Sequence, residues 1–516
     1  MVKIAVIGLD GLDFSMLPML SSLPPNSLKA KLDSLIPFTF PSWSSIMTGV
    51  NPGKHGIYGF FRYEKKGSRW IARAVSAYDL QYPRIHEALA LAQVPVKSLI
   101  IGPLPPYPCL PCKNSDIITI TQFSKFNSTS PKILNELYDV EEITEAMNML
   151  RKPNSSTVLL NAALRVVDSH ITAIENLDSV TCNYDFLWLY VNLPDTYLHK
   201  CPDALIKVNK LLTPLLIKLD TLIKKTMELS ENTIIVSDHG FKRFKYVVRI
   251  NRILYDHGFA KIGRGGAIDI YRDNPNKMGA HSKKITILHP SLMSFIYRIS
   301  PSHFRRFARS FLLAVEKILH KKIHFSMLPC IDEKASKAFT PIGSSPAIIG
   351  YIILLNNGNN VAKEVIEMLK RYHLEAYTAN ELLDGPYRPS DIIFVLPKDE
   401  YLPTAGTTYN DPIEETSRAS HTRYGIFVAR LEDAQYSENL AEVFPNTVVA
   451  PLVLSKLNAP LGVEMDSKDL ALRICGKNES EIKCMAYRPM WRIFKRLLAV
   501  RSGFYSGVKR SEICRG

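Results

Sequence analysis

The chain opens with MVKIAVIGLDG, residues 1–11, in which an apolar run reaches an acid, Asp10, and a glycine, Gly11. Apolar residues that follow one another without alternation predict a strand buried on both faces, which we place at Lys3–Ile7. Taken alone, the segment is equally typical of an ordinary strand end and turn. The G-x-G-x-x-G spacing of a dinucleotide site is absent, and Asp10 would repel a pyrophosphate at a helix N-terminus. An acid at this position suits a metal ion instead.

Runs of the same kind recur along the chain and alternate with helical patterns, in which apolar residues are spaced by three and four. This alternation predicts an α/β fold, a doubly wound sheet with helices on both faces. Such sheets bind ligands at the carboxyl ends of their strands. The further predicted strands, all expected to be buried and parallel, are Val96–Ile101, Phe186–Asn192, Thr233–Ser237, Ile349–Leu355, Ile392–Leu396 and Ile426–Ala429. The predicted helices are Ser155–Glu175, Pro202–Glu228 and Val361–Arg371.

Charge is concentrated in two short parts of the chain. The 516 residues carry a net charge of +15, and segments 283–322 and 483–516 each hold nine Lys or Arg against one acid. The remainder is therefore close to neutral, so the basic balance says nothing about the partners of the main body. The strand–helix rhythm is interrupted by a basic helical insertion and stops near residue 472. The predicted units are 1–262, the first part of the core, 263–330, the insertion, 331–472, the second part of the core, and 473–516, a basic C-terminal extension.

Both basic segments contain an amphipathic helical pattern, at His303–His320 and around Trp491. The favoured interpretation is that both helices pack on the body and leave their basic faces in solvent. The second is docking to an anionic membrane surface through residues 283–322 and 483–516, where each basic residue contributes roughly 1 kcal/mol. A nucleic-acid partner is disfavoured, because no reader motif or aromatic stacking platform is present.

Composition indicates a globular protein of the cell interior. No apolar run approaches the ~18 residues that span a bilayer, and the first residues lack the h-region of a secretory signal. We expect a cytoplasmic protein, peripheral to the membrane if the basic segments dock there. Eight cysteines in 516 residues do not indicate a disulfide scaffold. Cys109 and Cys112 form a lone C-x-x-C, which we predict to hold no metal and to be a chance disulfide or free thiols.

A distinctive segment, PFTFPSWSSIMTGVNPGKHGI at residues 37–57, predicts a short helix over Ser42–Met47 with Thr39 just ahead of it. Backbone N–H groups and the helix dipole favour an anion at that end. A hydroxyl there could attack phosphorus if a metal lowered its pKa. As local structure alone, a simply capped helix is the favoured interpretation.

Acids and histidines follow other predicted strands. Asp195 and His199 are four residues apart and can meet on one metal if the segment is helical. Asp238 and His239 directly follow a strand and precede a glycine, which is a stronger ligand pattern. The lone His421 precedes the last predicted strand and would by itself be ordinary surface. With Asp10, these side chains divide into two groups of three, which is the number that a two-metal phosphoryl-transfer site requires.

Taken together, these motifs resemble the type I phosphodiesterase/nucleotide pyrophosphatase family of the alkaline phosphatase superfamily. The stretches that carry the resemblance are VIGLDGL, TFPSWSSIMTGVNPGKHGI, LPDTYLH, SDHGF and SHTRYGIFVA, and it extends from residue 2 to about 472. The resemblance implies that Thr39 is the nucleophile and forms a covalent phosphothreonyl intermediate, which water hydrolyses. It also implies two divalent metals, zinc with manganese as the alternative. The implied ligands are Asp10, Asp238 and His239 for the metal that activates Thr39, and Asp195, His199 and His421 for the second.

Differences from relatives narrow the expected reaction. Sulfatases of the superfamily need Cys or Ser, followed by x-Pro-x-Arg, where this chain has Thr39, Pro41 and Trp43. Nucleotide pyrophosphatases usually have an Asn after that proline that contacts a phosphoryl oxygen, and Ser42 is the candidate substrate-binding residue here. Cofactor-independent phosphoglycerate mutases use a serine nucleophile and an earlier insertion. We therefore expect hydrolysis of a phosphodiester or pyrophosphate bond in a small-molecule substrate. The alternatives are a phosphomonoesterase or phosphoryl transferase on the same site, and a basic peripheral membrane-binding protein with a vestigial site.

Overall fold

A mixed sheet with nine strands forms the centre of the computed structural model. In spatial order its strands are Val443–Pro445, Leu28–Asp33, Tyr424–Arg430, Ser230–Val236, Val2–Leu9, Phe186–Val191, Ser98–Ile101, Ser115–Thr119 and Asn127–Ser128. The residues that the structure describes are 1–66, 69–106, 108–120, 127–152, 154–179, 183–261, 268–270, 283–285, 323–325, 332, 335–341, 350–355, 359–405, 411–432 and 442–501.

Helices cover both faces of this central sheet, as the sequence predicts for a doubly wound α/β fold. Because side chains of a strand alternate between faces, Ala5 and Ile7 enter one hydrophobic layer and Ile4 and Val6 enter the other. The first layer is formed with helices Pro131–Leu137, Val140–Arg151, Ser156–Glu175 and Thr213–Leu229. The second is formed with helices Thr39–Thr48, Ile85–Leu91, Val449–Lys456 and Lys468–Cys475.

The prediction that every strand is parallel is wrong for three of the seven predicted strands. Strand Tyr424–Arg430 runs antiparallel to both of its neighbours in the central sheet. The predicted strands Ile349–Leu355 and Ile392–Leu396 belong to a separate antiparallel sheet, with strand order Ala338–Phe339, Gly350–Leu354, Ile392–Leu396 and Glu375–Thr378. An uninterrupted apolar run reports burial on both faces, which these strands share, and does not report strand direction.

The predicted helix Pro202–Glu228 is also corrected. It is divided into a 3-10 turn at Pro202–Leu205, a π-helical segment at Val208–Leu212 and an α-helix at Thr213–Leu229. Pro214 lies in the first turn of the α-helix, where its missing N–H costs no hydrogen bond. The predicted helices Ser155–Glu175 and Val361–Arg371 are present at Ser156–Glu175 and Asn359–Lys370.

The predicted insertion is described only at three short strands. These are Ile268–Ile270, Lys283–Ile285 and Ile323–Phe325, which pair as an antiparallel sheet that the sequence analysis did not anticipate. The predicted helix His303–His320 lies outside the described residues. The unit boundaries at 262, 330 and 472 stay predictions.

The C-terminal helix, Tyr487–Arg501, packs on the body as the favoured interpretation predicts. Trp491 is fully buried and donates a hydrogen bond from Nε1 to the carbonyl of Leu80 at 2.9 Å. Lys495 differs from the predicted solvated basic face, because it is buried and its Nζ donates to the carbonyls of Tyr78, at 3.0 Å, and Leu80. Burial lowers the pKa of the Lys495 ammonium to about 8.

Two further observations concern sequence features named above. Cys109 and Cys112 are free thiols, and burial raises the pKa of both, that of Cys109 to about 11. In the described part of the chain, no helix has both the length and the apolar character that crossing a bilayer requires.

Candidate functional site

The carboxyl ends of two adjacent parallel strands bring Asp10, Asp238 and His239 together. Asp10 follows strand Val2–Leu9, and Asp238 and His239 follow its neighbour Ser230–Val236. The Nε2 atom of His239 lies 3.4 Å from Oδ1 of Asp10 and 3.1 Å from Oδ2 of Asp238. All three side chains are fully buried. We refer to them as the first triad.

Asp195, His199 and His421 form a second triad. Helix Asp195–Lys200 begins beyond the next parallel strand, and its single turn aligns Asp195 with His199, whose Nε2 lies 3.2 Å from Oδ1 of Asp195. His421 reaches the same Oδ1 at 2.9 Å. Its position depends on a strand that the sequence analysis missed, Ala419–Thr422, which pairs with Gly240–Arg243 just after the first triad.

The two triads adjoin. The imidazole rings of His239 and His421 are stacked, with centroids 3.4 Å apart and planes inclined by 19°. The backbone N–H of Asp195 donates to the carbonyl of Asp10 at 2.9 Å. Gly11 permits this approach, because its φ is +75° and a Cβ added there would lie 2.9 Å from Cβ of Asp195. The fold therefore holds the six residues as one compact cluster.

Several ligand-type atoms in the cluster are buried without a hydrogen-bond partner, which is costly unless something else satisfies them. These atoms are Oδ1 of Asp10, Oδ1 of Asp195, Oδ2 of Asp238 and Nε2 of His239. Among the described residues, the two triads are the groups whose nitrogen and oxygen atoms lie close enough to hold a metal ion. Carboxylate oxygens with imidazole nitrogens are a donor set that Zn²⁺ and Mn²⁺ accept.

Burial also sets the protonation of the cluster. It raises the pKa of Asp10 and of Asp238 well above the usual range, and neighbouring carboxylates add to the effect. Burial acts in the same direction on Asp195, but His199 and His421 outweigh it and hold the pKa of that carboxyl well below its usual range. Burial lowers the pKa of His239 and of His421, which favours the neutral imidazole that metal binding requires. A bound dication would offset the carboxylate repulsion in the first triad.

Backbone carbonyls orient two of the imidazoles. Nδ1 of His421 lies 3.0 Å from the carbonyl oxygen of Pro37, and Nδ1 of His239 lies 3.1 Å from that of Gly240. A proton on each Nδ1 makes these hydrogen bonds and leaves the Nε2 lone pair directed at the triads. Metal-binding histidines are usually held in this way by a group outside the coordination shell.

Thr39 is the first residue of helix Thr39–Thr48, which begins three residues earlier than the predicted Ser42–Met47. It therefore lies in the first turn and not just ahead of it, and its side chain is buried with 3% exposure. No side chain caps this end of the helix. The carbonyl of Pro37, two residues earlier, is the one that His421 contacts, so the segment carrying Thr39 is tied to the second triad.

Ser42, the predicted substrate-binding residue, is buried beside the first triad. Its side chain is 1% exposed, and its Oγ donates to the carbonyl of Asp238 at 2.6 Å. The same oxygen lies 2.5 Å from Oγ of Ser34 and accepts from Nδ2 of Asn446 at 3.2 Å. These contacts hold Ser42 Oγ against the backbone of a first-triad residue. Contact between Ser42 and substrate stays a prediction.

Sequence reasoning missed two aromatic residues that hold Asp10. Oδ2 of Asp10 accepts from the Tyr190 hydroxyl at 2.6 Å and from Nε1 of Trp43 at 3.2 Å, so that Oδ1 faces the triad. A signal for this contact exists in the first strand. Gly8 interrupts an apolar run, and a Cβ added there would lie 2.5 Å from the Trp43 ring. A glycine inside a strand often marks such a close approach.

Buried carboxylates and imidazoles thus gather at the carboxyl edge of a mixed sheet, which is where α/β folds bind their ligands. The family model of type I phosphodiesterase/nucleotide pyrophosphatase matches residues 4–289, which is more than half of the chain. The chain belongs to this family and is an enzyme that hydrolyses phosphoric esters.

Solved structures show a similar fold at low sequence identity. Phosphonoacetate hydrolase from Sinorhizobium meliloti 1021 superposes with a TM-score of 0.50 at 13% identity, over 89% of this chain and 95% of that chain. Murine ectonucleotide pyrophosphatase/phosphodiesterase 5, solved in complex with AMP, gives 0.47 at 12% identity, over 89% and 96%. The human protein of the same name gives 0.47 at 13% identity, over 91% and 99%. No curated protein matches the sequence.

Proposed function

We propose that the enzyme hydrolyses a phosphodiester or pyrophosphate bond in a small-molecule substrate with Thr39 as its nucleophile. The observation that carries this proposal is the adjacency of the two triads to each other and to the segment that bears Thr39. One divalent ion in each triad, with Asp10, Asp238 and His239 on one side and Asp195, His199 and His421 on the other, matches the number of ions that an in-line displacement at phosphorus uses.

The chain's own residues account for two displacement steps. The Thr39 hydroxyl gives up its proton to solvent and its Oγ attacks phosphorus. The Oγ–P bond forms as the bond to the leaving oxygen breaks, and that oxygen departs with the electron pair and takes up a proton from solvent. Water then attacks the phosphothreonine, the Oγ–P bond breaks, and the Thr39 hydroxyl is restored. When bound, the metal ions lower the pKa of the hydroxyl and neutralise charge on the phosphoryl oxygens. Backbone N–H groups in the first turn of helix Thr39–Thr48 are suited to bind those oxygens.

Several residues position this machinery. Trp43 and Tyr190 fix one carboxylate oxygen of Asp10, and Ser42 fixes the backbone at Asp238. We propose zinc as the resident metal, with manganese as the alternative, because neutral imidazoles and carboxylates bind both. The proposed positioning residues and the proposed metal do not depend on the predicted unit boundaries at residues 262, 330 and 472.

The preference for a phosphodiester over a phosphomonoester is the test of the proposed reaction. We expect purified protein supplied with zinc or manganese to cleave bis(p-nitrophenyl) phosphate with a kcat/KM at least about tenfold above that for p-nitrophenyl phosphate. A diester presents one less negative charge to the carboxylates of the triads, and its second ester group offers additional binding. Release of p-nitrophenolate measures both rates. The opposite ratio would transfer the assignment to a phosphomonoesterase or phosphoryl transferase on the same site.

We further propose that the enzyme attaches to an anionic membrane surface through its C-terminal helix. Besides the buried side that carries Trp491, this helix has a second apolar face, formed by Ile493, Leu497 and Val500. Their spacing of four and three residues places them on one stripe, and they are 61%, 65% and 62% exposed. Arg492 and Arg496 beside the stripe are exposed as well. Apolar residues with flanking cations favour the anionic cytoplasmic leaflet.

Vesicle binding tests this attachment. We expect the protein to co-sediment with phosphatidylglycerol vesicles at low salt and not with phosphatidylcholine vesicles. The double variant Ile493→Gln/Leu497→Gln should reduce the bound fraction at least about threefold, because it removes apolar area that the bilayer would bury. Ile217→Gln is the matched control, since Ile217 is 59% exposed on helix Thr213–Leu229. Equal binding of the double variant and the control would contradict attachment through this stripe.

A further inference from the structure

A cavity of about 700 Å³ lies where three parts of the chain meet. One wall comes from the segment after His55 and from the hairpin Phe61–Lys66/Arg69–Ala74. A second comes from the antiparallel sheet that contains strand Ile392–Leu396, together with the loop before that strand, and a third from the C-terminal helix. Cavities of this size at junctions between structural units are typical ligand sites. Neither Thr39 nor any residue of the two triads lines it.

The lining of this cavity is strongly basic. Four arginines and Lys495 line it against a single acid, Asp391, and the ammonium of Lys495 donates to backbone carbonyls. Arg388 lies in the loop before strand Ile392–Leu396, and its side chain is exposed. Arg492 and Arg496 are one turn apart on the C-terminal helix, so their guanidinium groups are presented on the same side. Arginine side chains bind phosphate oxygens in a bidentate manner, which makes such a cluster suited to a phosphate group.

Two tyrosines that line the cavity carry buried hydroxyl groups without a hydrogen-bond partner. Tyr351 is 3% exposed, and its hydroxyl is buried without a hydrogen-bond partner. The hydroxyl of Tyr58 is buried and unpartnered in the same way. Gly59 makes room for Tyr351, because a Cβ added there would lie 2.3 Å from the Tyr351 hydroxyl. A buried hydroxyl with no partner is costly, and a polar ligand in the cavity would satisfy it.

Aromatic rings complete the site. The ring of Tyr387 lies near two guanidinium groups, those of Arg488 and Arg492, whose Cζ atoms are 5.7 and 6.0 Å from its centroid. Tyr58 and Tyr351 present further ring surface to the same cavity. Planar groups stack on guanidinium and tyrosine surfaces. Inorganic phosphate would leave most of the 700 Å³ and all of this aromatic surface without contact.

We propose that this cavity is a second ligand site, separate from the catalytic centre, that binds a phosphorylated molecule of nucleotide size carrying a planar ring. The phosphate lies among Arg388, Arg492 and Arg496, and the ring end lies toward Tyr58 and Tyr351, whose hydroxyls bond its polar edge. The inference rests on the cavity, its charge and its buried hydroxyls, and not on the proposed catalytic mechanism.

Calorimetric titration of the full chain with ADP tests the proposal. The titrated protein carries Thr39→Ala and retains its metals, so that ADP is not turned over during the experiment. The measured quantity is the part of ADP binding that depends on Arg388. We expect Arg388→Ala to weaken the binding of one ADP per chain at least about tenfold, and Tyr351→Phe to weaken it about threefold. Arg371→Ala, an equal charge change at an exposed position outside the cavity, should change it less than twofold. Thermal unfolding without ligand checks that each variant is folded.

The outcomes separate this site from the catalytic one. If the catalytic proposal fails and ADP does not bind at the catalytic centre, total binding falls to one ADP per chain. The binding of that one ADP still depends on Arg388. Millimolar ADP binding that is unaffected by Arg388→Ala and Tyr351→Phe would overturn the second site, and so would no binding at all. If Arg371→Ala weakened ADP binding as much as Arg388→Ala does, the binding would be unspecific charge attraction, and the proposal of a second site would be overturned as well. Pyrophosphate binding as tight as that of ADP would contradict the ring component of the ligand.

Discussion

Replacing Thr39 with alanine should lower kcat for the diester by about 10⁴-fold or more while both metals stay bound. The side chain supplies the atom that forms the bond to phosphorus, so the covalent route is lost and only direct attack by water is left. Thr39 is not one of the six proposed metal ligands, so we expect the variant to retain its metals completely. Steady-state rates and metal analysis of the same preparation measure the two quantities together.

Two variants control for the removal of a hydroxyl from this helix. Thr39→Ser keeps the nucleophilic oxygen and should retain turnover within about a hundredfold of the wild type. Thr48→Ala removes a buried hydroxyl at the other end of the helix, where Oγ1 donates to the carbonyl of Ser44, and should change turnover only a few-fold. Unchanged turnover in Thr39→Ala would refute the nucleophile and direct attention to the neighbouring Ser44 and Ser45.

Conversion of one carboxylate in either triad to its amide should reduce kcat by about 10³-fold or more. Asp238→Asn and Asp195→Asn preserve shape, and the amide oxygen at 238 can still accept the hydrogen bond from the N–H of Gly11. Each variant removes a negative charge that a dication would need, so the loss reflects metal binding and not folding. Asp220→Asn is the matched control, because this buried carboxylate accepts hydrogen bonds from Ser21 and Ser22. Turnover of the control should stay near that of the wild type.

Much of the site was accessible to sequence reasoning because it depends on where strands end. Asp10, Asp238 and His239 directly follow apolar runs, and strands that are adjacent and parallel bring such residues to one edge. The sequence analysis grouped the same six side chains that the structure brings together. Their roles as ligands, and that of Thr39 as nucleophile, stay predictions.

The parts that could not be predicted depend on contacts between distant segments. Strand direction was wrong for Gly350–Leu354 and Ile392–Leu396, since burial produces the same apolar run in either orientation. Contact between Ser42 and substrate stays a prediction, whereas its contacts with Ser34 and Asn446 are set by the tertiary fold and could not be predicted. Helical periodicity likewise could not reveal that Lys495 is buried against backbone carbonyls.

The metal content of the wild type, Asp238→Asn and Asp195→Asn, determined by mass spectrometry after loading with zinc and dialysis, tests the central claim. Two ions per chain are expected in the wild type, one in each variant and two in Asp220→Asn, because each triad is proposed to hold its own ion. A fully active wild type with fewer than two ions, or variants that keep both, would contradict the two-metal site.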